Sequence, residues 1–272
     1  MIYKKDILKD LLPPIIIRRL TGLFYGWHGN YSDWDSALAE CTGYDSMSIL
    51  DMVKQAALIV KNGKARYERD SVLFNDYYYN YPLLTALLYV SARQGNRLNV
   101  LDFGGSLGSS YYHCRSILSS VSEPRWNVVE QKLYVDSGIE LFQDNILRFH
   151  YAVEECLADN LPDILILSSV LPYLREPYKV LESLMQKEFR YIFFDKMPFI
   201  EGQDRITVQK VNPEIYAASY PCWFFNENKF LQFINNKYSL IYQFDNQDRT
   251  NIKSVFRGYL FELKKLSPDL SV

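Results

Sequence analysis

The sequence predicts an α/β protein built on a mostly parallel sheet that is wound on both faces, and three observations support this prediction. From Leu98 onward, apolar runs of strand length alternate with helical stretches. A glycine-rich turn follows the first of these runs, where a strand would pass into a helix. Near the end of the chain, a polar loop joins two aromatic-rich runs, which predicts an antiparallel hairpin at the sheet edge.

The elements of the α/β part follow one another in a simple order. The predicted strands lie near 98–102, 126–130, 147–153, 163–168 and 190–195, and the hairpin comprises 238–244 and 255–262. Residues 1–96 differ, because apolar residues recur there at helical spacing, in 45–61 and 81–94, without strand–helix alternation. The chain therefore divides into a helical N-terminal cap or substrate segment (1–96), an α/β domain (97–265) and a short tail (266–272).

Composition and charge exclude several classes of protein. The chain has 272 residues, of which 48% are hydrophobic, so it can bury a large core. Its 30 Lys and Arg residues and 32 Asp and Glu residues are interspersed, and without a basic stripe no nucleic-acid partner is expected. The four cysteines form no C-x-x-C pair, which is typical of reduced thiols in a cytoplasmic protein and predicts no metal site.

The N-terminal apolar run, Leu11–Ile17, is interrupted by prolines and is too short to span a membrane. We therefore expect a cytoplasmic protein without a transmembrane segment. The overlapping segment Ile15–Trp27 combines arginines with aromatic residues. It either makes weak contact with a membrane surface, if the substrate is lipid-linked, or packs against the α/β domain.

The most informative motif is the turn within residues 99–110. A strand ends at Asp102, Gly104 and Gly108 allow the backbone to approach a ligand closely, and the helix from Ser109 supplies free amide groups. This arrangement is typical of a nucleotide-binding loop. The dinucleotide fingerprint G-x-G-x-x-G is absent, whereas Asp102, Gly104, Ser106 and Gly108 meet the S-adenosylmethionine pattern D-x-G-x-G/S-x-G. The alternative is an ordinary glycine-rich strand-to-helix turn.

An acidic residue at the end of the next predicted strand favours the first interpretation. Glu130 follows Gly108 by 22 positions, with a helical stretch between them. A carboxylate only accepts hydrogen bonds, so it suits the two hydroxyls of a ribose. The alternative for Glu130 is a solvated charge at a strand end.

With these motifs, the chain resembles class I S-adenosylmethionine-dependent methyltransferases from about Leu98 to Leu263. Asp163–Leu174 is similar to the fourth strand and following turn of that family. A narrower resemblance, to bacterial methyltransferase-like proteins of surface-polysaccharide (O-antigen) gene clusters, rests on Gly43–Asp45, Tyr67–Ser71, Leu101–Tyr111 and Ala218–Pro221. The resemblance implies a Rossmann-like domain over 97–265 with a terminal hairpin. It also implies S-adenosyl-L-methionine as cofactor and S-adenosyl-L-homocysteine as product.

Ligands of open parallel sheets lie over the carboxyl ends of the strands, which selects further candidates. The resemblance places Val153 and Glu154 beside the adenine, and Ser168 and Ser169 near the methionine part. For both serines the alternative is a pair of small residues that end a buried strand. The predicted cofactor-binding residues are Asp102, Gly104, Gly105, Ser106, Gly108, Glu130, Val153, Glu154, Ser168 and Ser169.

Transfer to a hydroxyl benefits from a general base, and two candidates stand out. Asp195, at the end of the fifth predicted strand, is the first, although it is equally suited to pair with Lys196 or to cap a turn. His28, in the aromatic N-terminal segment, is the second if that segment closes over the site, and its alternative is a surface histidine. His113 and His150 are expected to pack on a helix and on the sheet.

Four residues are candidates for binding the acceptor. Tyr78 lies in the aromatic run Phe74–Tyr81, which either stacks on a sugar or packs between helices. Arg69 either binds a phosphate or carboxylate of the acceptor, or pairs with a neighbouring aspartate. Tyr220 and Trp223 are expected in a lid or wall after the fifth strand.

The sequence therefore favours an O-methyltransferase that acts on a sugar-containing or small-molecule acceptor in bacterial polysaccharide biosynthesis. Two alternatives remain open at this point. One is a protein that binds the cofactor without catalysing transfer. The other is a nicotinamide-dependent oxidoreductase, which the glycine spacing disfavours.

Overall fold

The computed structural model describes residues 24–42, 46–69, 71–76, 78–158, 161–213 and 215–265. The run Leu11–Ile17, the motif Gly43–Asp45 and the tail 266–272 lie outside the described residues. The helices are α1 (Trp34–Ala39), α2 (Ser46–Lys61), α3 (Tyr81–Arg93), α4 (Ser109–Leu118), α5 (Lys132–Leu141), α6 (Val153–Leu157), α7 (Pro177–Gln186) and α8 (Glu227–Asn235). The strands are β1 (Gly26–Tyr31), β2 (Tyr67–Arg69), β3 (Val72–Phe74), β4 (Arg97–Phe103), β5 (Glu123–Val129), β6 (Leu147–His150), β7 (Ile164–Ser168), β8 (Tyr191–Ile200), β9 (Arg205–Lys210), β10 (Ser219–Asn226), β11 (Tyr238–Asn246) and β12 (Val255–Leu263).

The central sheet is mostly parallel, as the sequence predicts. Strands β6, β5, β4, β7 and β8 lie side by side in that order, and all four pairings are parallel. On the far side of β8, β12 pairs antiparallel with β8 and β11 pairs antiparallel with β12. The five predicted parallel strands and the terminal hairpin are therefore confirmed. The third predicted strand is too long at its end, because β6 stops at His150 and Val153 begins α6.

Alternate side chains of the strands pack on opposite faces of the sheet. On one face, Val100 of β4 joins a core that includes residues of α2, α3, α4 and α5. On the other face, Leu101 joins a core that includes residues of α6, α7 and α8. Apolar and aromatic side chains dominate both cores, so the apolar runs that predict the strands also explain why helices cover both faces. The doubly wound architecture is confirmed.

Five of the described strands are not predicted by the sequence pattern, namely β1, β2, β3, β9 and β10. Strands β1, β9 and β10 form an antiparallel group, which joins the central sheet where Phe225 of β10 pairs with Phe199 at the end of β8. Residues before 96 are thus not only helical, since they contain β1 and the small hairpin of β2 and β3. Residues 219–223 lie on a strand rather than in the expected lid. Pro221 argues against a strand, but it lies where β10 pairs only with β9, so its missing N–H costs no bond to β8.

The chain order creates a switch point beside β4. After β4 the chain continues outward through β5 and β6, and it then returns to β7 on the opposite side of β4. The connections that leave β4 and β7 therefore diverge at their carboxyl ends, where open α/β sheets bind ligands. Gly104 and Val170, which follow these two strands, face one another across this point.

Candidate functional site

In the glycine-rich loop after β4, neighbouring side chains pack so closely on the backbone that they leave no room for a Cβ atom at Gly104 or Gly105. Gly104 and Gly108 adopt left-handed conformations, with φ of +77° and +86°. A Cβ atom on Gly104 would lie 2.6 Å from Cγ2 of Val170, and one on Gly105 would lie 2.6 Å from Cγ of Asp102. The Gly104 amide donates to the carbonyl of Val129, at 2.9 Å, which joins the loop to β5. The loop therefore requires glycine at 104 and 105 for its shape and its packing.

Asp102 lies beneath this loop in the sheet rather than in the open crevice. Its side chain is 1% exposed, and the indole Nε1 of Trp126 donates to its Oδ2 at 3.2 Å. Burial raises the pKa of Asp102 to about 7, the Trp126 hydrogen bond opposes this shift, and the nearby charge of Glu130 adds to it. The Asp102 side chain packs directly against Gly105, so it stabilises the position of the glycine-rich loop.

Glu130 joins the end of β5 to the glycine-rich loop. Its carboxylate accepts the amide of Gln131, at 2.6 Å, and the backbone amide of Ser106. Burial raises the pKa of Glu130, and both of these amides oppose the shift. Ser106 is one of the few non-glycine residues with a positive φ, +54°. The loop and the acidic residue that the sequence predicts to act together are thus in direct contact.

Val153 and Glu154 lie in the first turn of α6, not at the end of a strand as expected. Val153 is largely buried, whereas the Glu154 side chain is 68% exposed and pairs with Nζ of Lys187 at 2.7 Å. This ion pair lowers the pKa of Glu154. Both residues line a cavity of about 270 Å³ between α6, α7 and the end of β4, where Phe103 contributes to the lining.

Ser168 and Ser169 connect the end of β7 to the end of β8. The Ser168 hydroxyl donates to Oδ2 of Asp195 at 3.4 Å. The Ser169 amide donates to the backbone carbonyl of Asp195 at 3.0 Å, and Ser169 has a positive φ of +56°. The two serines therefore lie at the carboxyl edge, as predicted, but their contacts in this structure are with Asp195.

Asp195 is buried, and both of its carboxylate oxygens accept hydrogen bonds. It is 1% exposed. The side-chain amide of Asn80 donates to Oδ2 at 2.8 Å, and that of Asn246 donates to Oδ1 at 2.8 Å. Sequence reasoning missed both asparagines as partners. Asn80 had a detectable signal, since it precedes Tyr81-Pro82 at the start of a helix and caps α3, whereas Asn246 had none.

The three histidines lie in different surroundings. His28 is on β1, the outermost strand, five positions from β4 in the strand order, and its Nε2 is buried without a partner among the described residues. His113 stacks on Tyr67, with ring centroids 4.3 Å apart, and burial lowers its pKa. His150 lies 3.1 Å from Oδ1 of Asn127, through Nε2. His113 and His150 thus pack as expected.

A second cavity, of about 400 Å³, lies between the β2–β3 hairpin, the residues before α3 and one side of α4. Tyr78 and Tyr79 line it from the aromatic run that the sequence singles out. The other side chains are Arg66, Tyr67, Asn75, Asp76, Tyr112, His113, Arg115 and Ser116. Arg69 lies on the same hairpin, 3.9 Å from Oδ1 of Asp248 and 5.8 Å from the ring of Phe74. The cavity combines flat aromatic faces with polar groups.

Tyr220 and Trp223 do not share one surface. They are three positions apart on β10, so their side chains lie on opposite faces of the strand. The Tyr220 ring packs edge-on against Tyr173, with centroids 5.3 Å apart. The Trp223 indole donates to the carbonyl of Leu174 and stacks on Trp34. The two residues expected in a lid or wall therefore lie on opposite faces of β10, and their contribution to an acceptor pocket stays a prediction.

Glu68 is a buried residue of this region that sequence reasoning did not select. It is 7% exposed, accepts a hydrogen bond from the hydroxyl of Ser109 in the first turn of α4, and accepts the amide of Ser71 at 3.2 Å. These contacts hold the β2–β3 hairpin against the helix that follows the glycine-rich loop. A single glutamate in a polar segment carries no pattern that distinguishes it from a surface residue.

Comparison with known proteins gives fold-level similarities only. No protein-family model matches the chain, and no curated protein matches it. A magnesium protoporphyrin IX methyltransferase of Synechocystis PCC 6803, crystallised with SAM, is 14% identical over 82% of this chain and 99% of its own, with a TM-score of 0.44. A SAM-dependent methyltransferase of Methanosarcina mazei is 11% identical over 68% and 99%, with a TM-score of 0.47. The 1,6-didemethyltoxoflavin-N1-methyltransferase of Burkholderia thailandensis is 11% identical over 88% and 100%, with a TM-score of 0.45.

Two properties of the described residues bear on membrane and metal binding. No helix there has both the length and the apolar character needed to cross a membrane. No group of three or more His, Cys, Asp and Glu side chains there is arranged to hold a metal ion.

Proposed function

We propose that this chain is an S-adenosylmethionine-dependent methyltransferase. One observation carries the proposal: the glycine-rich loop at the sheet's switch point is joined, through the Ser106 amide, to Glu130 at the end of the neighbouring strand. Left-handed glycines at 104 and 108 let the loop backbone approach a ligand closely, and a carboxylate beside the loop can accept hydrogen bonds from a diol. An adenosyl group needs both.

The described residues fit this cofactor in the following way. Glu130 would accept the ribose hydroxyls, and the loop from Gly104 to Gly108 would lie against the sugar and the methionine part. Val153 would border the adenine from the cavity at α6, and Ser168 and Ser169 would face the methionine end. When bound, the cofactor supplies a methyl group already activated on a sulfonium, so the chain has to position the acceptor and exclude water.

For the acceptor, we propose an oxygen of a sugar-containing or other small molecule, in bacterial polysaccharide biosynthesis. The cavity of about 400 Å³ supports this class, because aromatic side chains stack on sugar rings and its amide and carboxylate groups match sugar hydroxyls. Tyr78 would contribute such a face and Arg69 would bind an acidic group at the rim. Tyr220 remains a proposed acceptor contact through the Tyr173 side of β10, whereas Trp223 packs away from it.

A second candidate function is cofactor binding without methyl transfer. It is favoured by the state of Asp195, which is 1% exposed and accepts an amide donor at each oxygen, so that this carboxylate has no open path to a substrate proton. His28 remains the proposed base under the first function. Its Nε2 has no hydrogen-bond partner in the described residues, and because this atom is buried, the role requires β1 to move and expose it to the acceptor.

Two measurements test the proposal. In a thermal-shift assay, S-adenosylhomocysteine at 100 times its dissociation constant should stabilise the protein by about 2.7 kcal/mol, and NADH should give no shift. Incubation with S-adenosylmethionine labelled in the methyl group and a panel of sugar acceptors should then yield labelled product. Stabilisation without labelled product on any acceptor supports the binding protein, and stabilisation by NADH alone would contradict both functions.

A further inference from the structure

The carboxylate at the end of β8 has a role that its position in the sequence does not reveal. We propose that Asp195 is a positioning residue, which holds two separate loops at the carboxyl edge of the sheet, rather than the proton acceptor. The loops are residues 78–80, before α3, and residues 247–254, after β11. The proposal rests on the proposed function only in that it assigns this edge to the methyl-transfer site.

A bulge in β8 determines where the Asp195 side chain lies. Phe194 pairs with Tyr259 and Met197 with Arg257, so Asp195 and Lys196 lie opposite a single residue of β12. Lys196 takes up the extra residue with a φ of +54°. Met197 consequently returns to the same core as Phe194, while Asp195 keeps the opposite face, where α3 lies. Bulges redirect side chains in this way beside functional sites.

The hydrogen bonds to Asp195 have only one consistent direction. The Asn80 Oδ1 accepts the amide of Leu83, and the Asn246 Oδ1 accepts the amide of Lys196 at 3.3 Å. Each asparagine therefore has its carbonyl oxygen occupied, so its NH₂ group has to face Asp195. An acceptor-only carboxylate is the one side chain that takes both amides together with the Ser168 hydroxyl.

Each asparagine ties Asp195 to a different border of the site. Asn80 follows Tyr78 and Tyr79, which line the cavity of about 400 Å³. Asn246 begins the loop whose Asp248 lies 3.9 Å from Arg69 and whose Asn251 side chain bonds the backbone of Trp27. A buried group that accepts from both loops, and from Ser168 at the end of β7, sets their positions relative to the glycine-rich loop.

An exchange of the two partners tests the proposal. In Asp195→Asn, the new NH₂ group faces the NH₂ group of one asparagine, so one hydrogen bond is lost. In Asn246→Asp, two carboxylates face each other, so a hydrogen bond is replaced by repulsion between like charges. The double variant D195N/N246D restores every hydrogen bond, since the amide introduced at position 195 donates to the carboxylate introduced at position 246 and still accepts from Asn80. We expect each single variant to lower the melting temperature by roughly 4–10 °C and to accelerate amide exchange in both loops about tenfold. The double variant should recover most of both losses.

The outcomes separate this proposal from the proposed function. If the double variant is as unstable as the sum of the single variants, or if exchange in the two loops never changes, the positioning role is wrong. If the double variant recovers its stability and its affinity for S-adenosylhomocysteine but transfers methyl more than 100-fold more slowly, Asp195 is the base and the proposal is overturned. Failure of the wild-type chain to methylate any acceptor refutes the transferase function instead, while melting and exchange still decide the role of Asp195.

Discussion

The buried Asp102 makes the stability of this protein depend on pH in a way that can be isolated with one variant. Burial raises its pKa from 3.8 to about 7. A carboxyl group whose pKa is higher in the folded state stabilises the fold fully below its unfolded pKa, and this stabilisation is lost as the pH rises towards the folded pKa. The loss for Asp102 is about 4 kcal/mol in total, and about 2.6 kcal/mol of it falls between pH 5 and pH 8.

Asp102→Asn removes this titration while its amide oxygen can still accept from Trp126. The free energy of unfolding of the wild-type protein should therefore fall, relative to the variant, by about 2.6 kcal/mol between pH 5 and pH 8. For a chain of this length, the wild-type melting temperature should fall by roughly 5–10 °C relative to the variant. Melting curves of the wild-type protein and of D102N, recorded by calorimetry or fluorescence at four pH values, measure this difference. Glu182→Gln, which removes an exposed carboxylate of α7, is the control and should follow the wild type. A constant difference between wild type and D102N at all pH values would refute the reasoning.

Three further predictions concern the proposed site. Gly104→Ala should melt several degrees below Gly95→Ala and lose its shift with S-adenosylhomocysteine: both positions have a positive φ, but an added Cβ meets Val170 only at Gly104. Glu130→Gln should weaken S-adenosylhomocysteine roughly tenfold by calorimetry, because a charged acceptor for the ribose is lost; unchanged affinity would place the ribose elsewhere. His28→Gln should lower the methyl-transfer rate at least 100-fold with unchanged affinity for S-adenosylhomocysteine, and a rate within threefold of wild type would exclude His28 as the base.

The parts of the fold that were predictable are those encoded within one stretch of sequence. Strand β7 and the first part of β8 are buried on both faces, so each appears as an apolar run that needs no knowledge of its neighbours. The glycine-rich loop is equally local, because its shape depends on glycines at fixed spacing. Strand β1 differs in this respect. β1 consists of partly buried and exposed residues, so its strand conformation comes from pairing with a distant partner rather than from its own pattern.

The candidate site shows the same division between local and distant contributions. Glu130 follows an apolar run and lies where the loop needs it, so the sequence could place it. The sequence could predict that Asp195 lies at a strand end. It could not predict the hydrogen bonds of its carboxylate, because the donors Asn80 and Asn246 are 115 and 51 positions away in the chain. Polar residues at such separations meet only because of topology, and single asparagines are too common in loops to indicate a partner.

The length of β8 explains why this carboxylate depends on loops from both ends of the chain. Ser168 is the last residue of β7 to pair with β8, and it pairs with Asp195. β10 joins the same side of β8 only at Phe199, so β7 ends beside Asp195 and residues 196–198 pair with no described strand on that side. The neighbouring strand gives the buried carboxylate only the Ser168 hydroxyl, at 3.4 Å, and a buried carboxylate left short of donors costs several kcal/mol. The side-chain amides of Asn80 and Asn246 supply the further donors, each at 2.8 Å from one oxygen of Asp195.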